Sequence, residues 1–169
     1  MAELGKNTVT VDGSTLVIER LIDAPKEKVF RAFSESDQLA AWWGPQGWET
    51  ENKAFNFTPG GEWHYGMTCN DPNQGDFYGQ TSWGKATFEE IDAPNRVQYV
   101  DAFSDDAGTT NSELPVMRIV NEFEEQDGKT LFRTTSEFPT EEELKQVMEM
   151  GMLEGFSSQM ERLDAYLNQ

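Results

Sequence analysis

Apolar positions change their spacing three times along the chain, and each change predicts a different kind of element. Thr8-Val9-Thr10-Val11 and Leu16 to Ile22 read as strands, and Asp12-Gly13 between them is a dipeptide suited to a tight hairpin turn. Asp23-Ala24-Pro25 then reads as a helix entrance: a capping-type side chain, and a proline whose missing N–H costs nothing in a first turn. Val29, Phe30 and Phe33 follow at helical spacing. A second short helix is predicted from Ser36, with Leu39, Trp42 and Trp43 on one face. Gly44-Pro45 stops it, because glycine supplies a left-handed cap and proline cannot continue a helix.

From Trp48 to Phe138 the pattern turns extended. Ala54 to Phe57, Trp63 to Met67, Ala86 to Phe88, Val97 to Val100, Met117 to Val120 and Leu131 to Thr134 are the predicted strands. Pro59-Gly60-Gly61, Asp71-Pro72-Asn73, Asp92-Ala93-Pro94-Asn95 and Gln126-Asp127-Gly128 punctuate them as turns. Connections this short imply an antiparallel meander. The period then becomes helical again. Pro139 and Thr140 precede Glu141-Glu142-Glu143, acids where a helix N-terminus favours them. Leu144, Met148, Met152, Phe156, Met160, Leu163 and Leu167 form an apolar stripe that predicts one long amphipathic helix. Gly151 and Gly155 lie inside it, at a cost of about 1 kcal/mol each relative to alanine. Close approach to an opposing element, or a break, would account for them.

The fold class that follows is α+β, with two short helices after the first strand region, a run of strands and a long C-terminal helix. A curved antiparallel sheet must cover its apolar face, and the terminal helix is the element long enough to do so.

The motifs also resemble a known family. Arg20-Leu21-Ile22-Asp23-Ala24-Pro25 with Val29-Phe30, then Trp42-Trp43-Gly44-Pro45, then Pro59-Gly60-Gly61-Glu62-Trp63 are similar to the activator-of-heat-shock-protein-ATPase family, of the Aha-type C-terminal-domain kind, within the START/Bet v 1-like (SRPBCC) superfamily. Trp83-Gly84-Lys85, Glu90 to Val97, Phe123-Glu124-Glu125 with Gly128-Lys129-Thr130, and Gly155-Phe156 continue the match in order over residues 16–167. The resemblance implies a helix-grip fold, residues 1–169 as a single START/Bet v 1-like domain, and a cavity between the sheet and the long helix. Two positions depart from the family pattern. Asn56 and Thr58 stand where an Asp and an Arg are usual, which removes a charge pair, and Phe156 replaces a tryptophan, which changes the cavity volume.

Composition narrows the function. The chain has 169 residues, 31 acidic and 13 basic, for a formal charge of −18. No basic surface is available for a phosphate backbone or an anionic membrane, so neither nucleic acid nor membrane is an expected partner. The first residues lack the basic start and apolar run of a signal peptide, and no stretch reaches the length of a membrane helix, so a cytoplasmic address is expected. A single cysteine, Cys69, excludes an intramolecular disulfide. The acids fall on turns and on the outer face of the terminal helix, as a solubilising shell.

Catalytic parts are few. His64 is the only histidine, and alternation sets it opposite Trp63, Tyr65 and Met67, so it faces away from the more apolar side. Cys69 has no sequence neighbour to activate it. Pro59-Gly60-Gly61 lacks the Lys-Ser/Thr of a phosphate loop and is a turn. One His and one Cys do not make a soft metal site, and no acidic loop has calcium-loop spacing, so no metal, cofactor or catalytic residue is assigned. The cavity candidates are Trp43, Phe55, Phe57, Trp63, Tyr65, Met67, Trp83, Met148, Met152 and Phe156. Aromatics and methionines of this kind pack a core or line a tolerant apolar pocket, and the resemblance favours the pocket. The leading expectation is non-catalytic binding of a small hydrophobic or aromatic molecule. The alternatives are stimulation of a chaperone's ATPase, with this chain corresponding to the C-terminal-type domain alone, and a polyketide cyclase or aromatase-like enzyme drawing on Tyr65, Tyr99, Glu90 or Arg118.

Overall fold

A computed structural model describes residues 2–4 and 6–168. Among these, nine strands form one sheet: β1 (Ala2–Leu4), β2 (Asn7–Asp12), β3 (Thr15–Ile22), β4 (Trp48–Phe55), β5 (Glu62–Cys69), β6 (Thr81–Asp92), β7 (Arg96–Ser104), β8 (Met117–Gln126) and β9 (Lys129–Glu137). Helices α1 (Lys26–Ser34) and α2 (Ser36–Trp42) separate β3 from β4, and α3 (Glu141–Glu149) and α4 (Met152–Leu167) follow β9. The spatial order is β1-β2-β3-β9-β8-β7-β6-β5-β4, antiparallel throughout. Strands β4 to β9 are thus the expected meander, and β3 closes it by pairing with β9. The sheet curves around the C-terminal helices, an α+β helix-grip architecture. Register shifts at Asn52/Ala54 and Phe88/Glu90 add to the bend, since a bulge increases local twist.

Two local expectations change. The helix entrance is two residues later than the Asp23 cap predicts: Pro25 is itself the N-cap of α1, with no side-chain hydrogen bond, and its carbonyl accepts the Val29 N–H. More consequentially, the Leu144–Leu167 stripe is two helices. The Met150 N–H bonds back to Val147, and Gly151 adopts φ 88°, ψ 22° before α4 begins. Only glycine takes that left-handed conformation without strain. Thr140 caps α3 by accepting the Glu143 N–H at 3.1 Å, so both helices have distinct beginnings.

The break divides the interior. One core gathers under α4 and the α1–α2 corner, around Phe30, Phe33, Trp42, Phe123, Phe132 and Leu163. Trp42 is fully buried there, its indole N–H donating to the Ala32 carbonyl at 3.0 Å. The other core gathers under α3, around Leu16, Ile18, Phe138, Leu144 and Val147. Ile119 and Phe156 touch both. Arg20 on β3, buried, pairs with Asp164 of α4 and donates to Asn7 at 3.0 Å, which ties the last helix to the sheet. Among the described residues, no helix is long and apolar enough to cross a membrane.

Candidate functional site

Between the two cores lies a cavity of about 240 Å³. Its floor is the inner face of β3, β5, β7, β8 and β9, and its roof is α4, through Met152, Gly155, Phe156 and Met160. A Cβ placed on Gly155 would meet nothing within 4 Å, so the helix leaves space at that point. Most of the wall is apolar: Ile18, Phe33, Trp43, Met67, Met117, Ile119 and Phe132.

The wall also carries a polar group set deep in the sheet. Val97, Tyr99, Asp101 and Phe103 alternate inward along β7, which carries the Asp101 carboxylate into the cavity lining. Tyr65 of β5 donates its phenol to that carboxylate, at 3.0 Å to Oδ2 and 3.3 Å to Oδ1. Tyr65 reaches across because β6 passes beneath it as Gly84; a Cβ there would stand 2.4 Å from the phenol ring. Burial drives the ionisation behaviour of the group. Loss of hydration raises the Asp101 carboxyl to about 6, against the lowering effect of the Tyr65 hydrogen bond and the Ala102 N–H. Burial first, and then the neighbouring Asp101 charge, hold the Tyr65 phenol well above its ordinary range, and Tyr99 is raised for the same two reasons. Asn121, Thr134 and Ser136 complete the polar side of the lining.

A further part of the wall is built by the turn after α2. Trp43 stands edge-on to Trp42, Trp63 and Tyr65, with ring centroids 4.8–5.8 Å apart, and with Pro45 it walls the cavity. Helix α4 grips this turn from the other side. Gln159 accepts the Gly44 N–H at 2.9 Å, and Ser158 accepts the Gln46 N–H at 2.8 Å. The Arg162 guanidinium donates to the carbonyls of Ala41, Trp43, Gly44, Pro45 and Trp48. The two adjacent indoles therefore divide their roles: Trp42 anchors the core and Trp43 faces the cavity.

The structure brings Trp43, Tyr65, Met67, Met152 and Phe156 together in the lining. It places the other candidates elsewhere. Phe55, Phe57 and Trp63 pack with Phe88 in the first core, where Phe55 and Phe57 stack at 5.8 Å. Met148 packs against the core under α3. Trp83 is on the opposite face of the sheet: it pairs with Gly66, lies over it, and neighbours His64 at 5.3 Å with Lys53 above its ring. His64 faces away from the cavity, as alternation predicts, yet it is buried on that side because its Nε2 meets the Asp105 carbonyl at 3.0 Å. Glu90 and Arg118 also lie outside the cavity, bonded to Arg96 and Glu89. The missing Asp and Arg of the Pro-Gly-Gly turn are replaced by a neutral bond, Thr58 donating to Asn56 at 3.2 Å. Among the described residues no group of three metal-ligating side chains assembles. Asp101, Asn121, Thr134, Ser136 and Gln159 are the polar lining residues that sequence reasoning missed, and Ile18, Phe33, Met117, Ile119, Phe132 and Met160 are among the apolar ones. For Asp101 the signal was present, since continuing the alternation of β7 past Val100 points it inward.

Comparison with known proteins agrees with this architecture. The family model described as Activator of Hsp90 ATPase homolog 1-like protein matches residues 23–168. No protein with a curated description matches the sequence. Among solved structures, an Arthrobacter aurescens protein is 31% identical with a TM-score of 0.85, covering 95% of this chain and 91% of that one. A Mycobacterium smegmatis protein is 30% identical with a TM-score of 0.80, over 94% and 96%. A Staphylococcus epidermidis protein is 31% identical with a TM-score of 0.81, over 96% and 94%.

Proposed function

The chain belongs to the Activator of Hsp90 ATPase homolog 1-like family, within the SRPBCC superfamily, and from that premise we propose that it binds a small hydrophobic or aromatic molecule, without catalysis, in the cavity between the sheet and α4. The observation that carries the reading is the 240 Å³ space itself, apolar over most of its wall and flanked by two apolar cores. Apolar lining with a few directed polar groups is the ordinary composition of a small-molecule site. The cores provide the rigidity, and the intervening space holds the ligand.

Thermal unfolding with a library of apolar and aromatic compounds tests this. A ligand at a hundredfold excess over its dissociation constant stabilises the native state by about 2.7 kcal/mol. For a domain of this size that raises the melting temperature by roughly 5–10 °C. The Gly155→Leu variant, whose side chain occupies the open space, is expected to lose the shift. A library that leaves the wild-type melting temperature unchanged refutes the reading.

The family's description favours a second reading, stimulation of a chaperone ATPase. A coupled ATPase assay with the host's heat-shock chaperone decides it, and an unchanged turnover rate counts against it.

A further inference from the structure

The cavity's charge pattern is one-sided. Asp101 is the only charged side chain among the residues that line it, and no Lys, Arg or His of the described residues forms an ion pair with it. Its one side-chain partner is the Tyr65 phenol, a neutral donor that spans both oxygens and leaves further acceptor capacity on each. A buried carboxylate without a counter-charge is costly, so folding alone gives no reason to keep one. The surroundings meet a cation well. Tyr65 and Tyr99 line the same part of the cavity as the carboxylate, and aromatic rings attract positive charge. The whole chain carries −18, a field that concentrates cations and repels anions.

We infer that the cavity is a receptor for an amine: a molecule with an apolar or aromatic body and a protonated nitrogen that pairs with Asp101. The inference rests on the small-molecule reading above and specifies its ligand class. The body fills the space between Trp43, Phe132 and Phe156, and the ammonium reaches the carboxylate beside Tyr65. Fatty acids and other carboxylate ligands are disfavoured, because the site would hold two like charges at close range.

A trio of equal size tests this by calorimetric titration at about neutral pH and physiological salt: phenylpropylamine, phenylpropanol and phenylpropanoate. The amine is expected to bind at least about tenfold more tightly than the alcohol, and the carboxylate weakest of the three. Asp101→Asn, which keeps an acceptor for Tyr65, is expected to abolish the preference for the amine while the alcohol still binds. Gly155→Leu is expected to abolish binding of all three. Amine affinity should also fall as pH drops through about 6, because the Asp101 carboxylate takes up a proton there, while Tyr65 of β5 and Tyr99 of β7, its titratable neighbours in the cavity, stay neutral throughout. If the alcohol binds as tightly as the amine, or the preference survives Asp101→Asn, the amine inference is overturned and the cavity reading stands. Amine binding that survives Gly155→Leu places the cation on the acidic surface and also overturns it. If none of the trio binds and the apolar library is silent as well, both readings fail together.

Discussion

Asp101 should be a liability to the unliganded fold, and replacing it with asparagine measures how large a one. The carboxyl ionises at about 6 in the native state and at 3.8 when free in an unfolded chain. An acid whose native value is raised binds its proton more tightly when folded, so stability falls as pH rises through this interval. Below about pH 3 the group is largely neutral in both states and contributes little. Above pH 6 to 7 it is charged in both, and the native state bears the full penalty, roughly 3 kcal/mol from a difference of about two pH units. Asp101→Asn keeps the size of the side chain and an oxygen for the Tyr65 phenol, so it removes the charge with little else. Urea denaturation of wild type and variant in parallel is the assay, because the other acidic residues titrate alike in both proteins. The variant is expected to be more stable by about 3 kcal/mol near pH 8, and by about half that near pH 5. A variant less stable than wild type near pH 8, or a gain that does not shrink on acidification, would show that Asp101 is not desolvated as its burial implies.

Two further outcomes bear on the helix that roofs the cavity. Arg162→Ala removes the donors that hold five carbonyls of the segment from Ala41 to Trp48, and should cost about 2–3 kcal/mol and shift the near-ultraviolet signal of Trp43; a loss under about 0.5 kcal/mol in urea would mean that the turn holds without it. Gly155→Ala lies inside α4 with open space at the Cβ, so it should raise stability by up to about 1 kcal/mol, and a lower urea midpoint would contradict the open space.

The meander, the two short helices and the family were legible because each depends on short-range signals: alternation, turn residues and the order of motifs. The helix break was legible only as one of two readings of Gly151 and Gly155, since Leu144, Met148 and Met152 keep helical spacing through Gly151, and the left-handed backbone there is what divides α3 from α4. Trp83 was misplaced for a related reason. Alternation gives the two faces of a strand but not which face meets which across a pair, and the register Gly66↔Trp83 and Tyr65↔Gly84 sends the two aromatics to opposite sides. Asp101 was hidden by its residue type. An acid at the end of an apolar strand reads as the start of a loop, whereas β7 continues to Ser104 and buries it.

The division of the interior into two cores has a consequence for how this scaffold can diversify. Were the cavity cut into a single continuous core, every change in its shape would be felt as lost packing by the residues that keep the chain folded. Here Trp42, Phe123 and Leu163 on one side, and Leu16, Leu144 and Val147 on the other, are each packed among themselves. On the helix side of the gap, Gly155 has open space at its Cβ and can be exchanged for a larger residue with much of the folding energy left untouched, whereas Phe156 and Met152 also pack against the cores. Selection on ligand shape can then act through the helix face at Gly155, while Ile18, Phe33 and Phe132, which belong to a core as well as to the wall, stay under selection for foldedness, and the architecture can change part of what it holds without first becoming more stable.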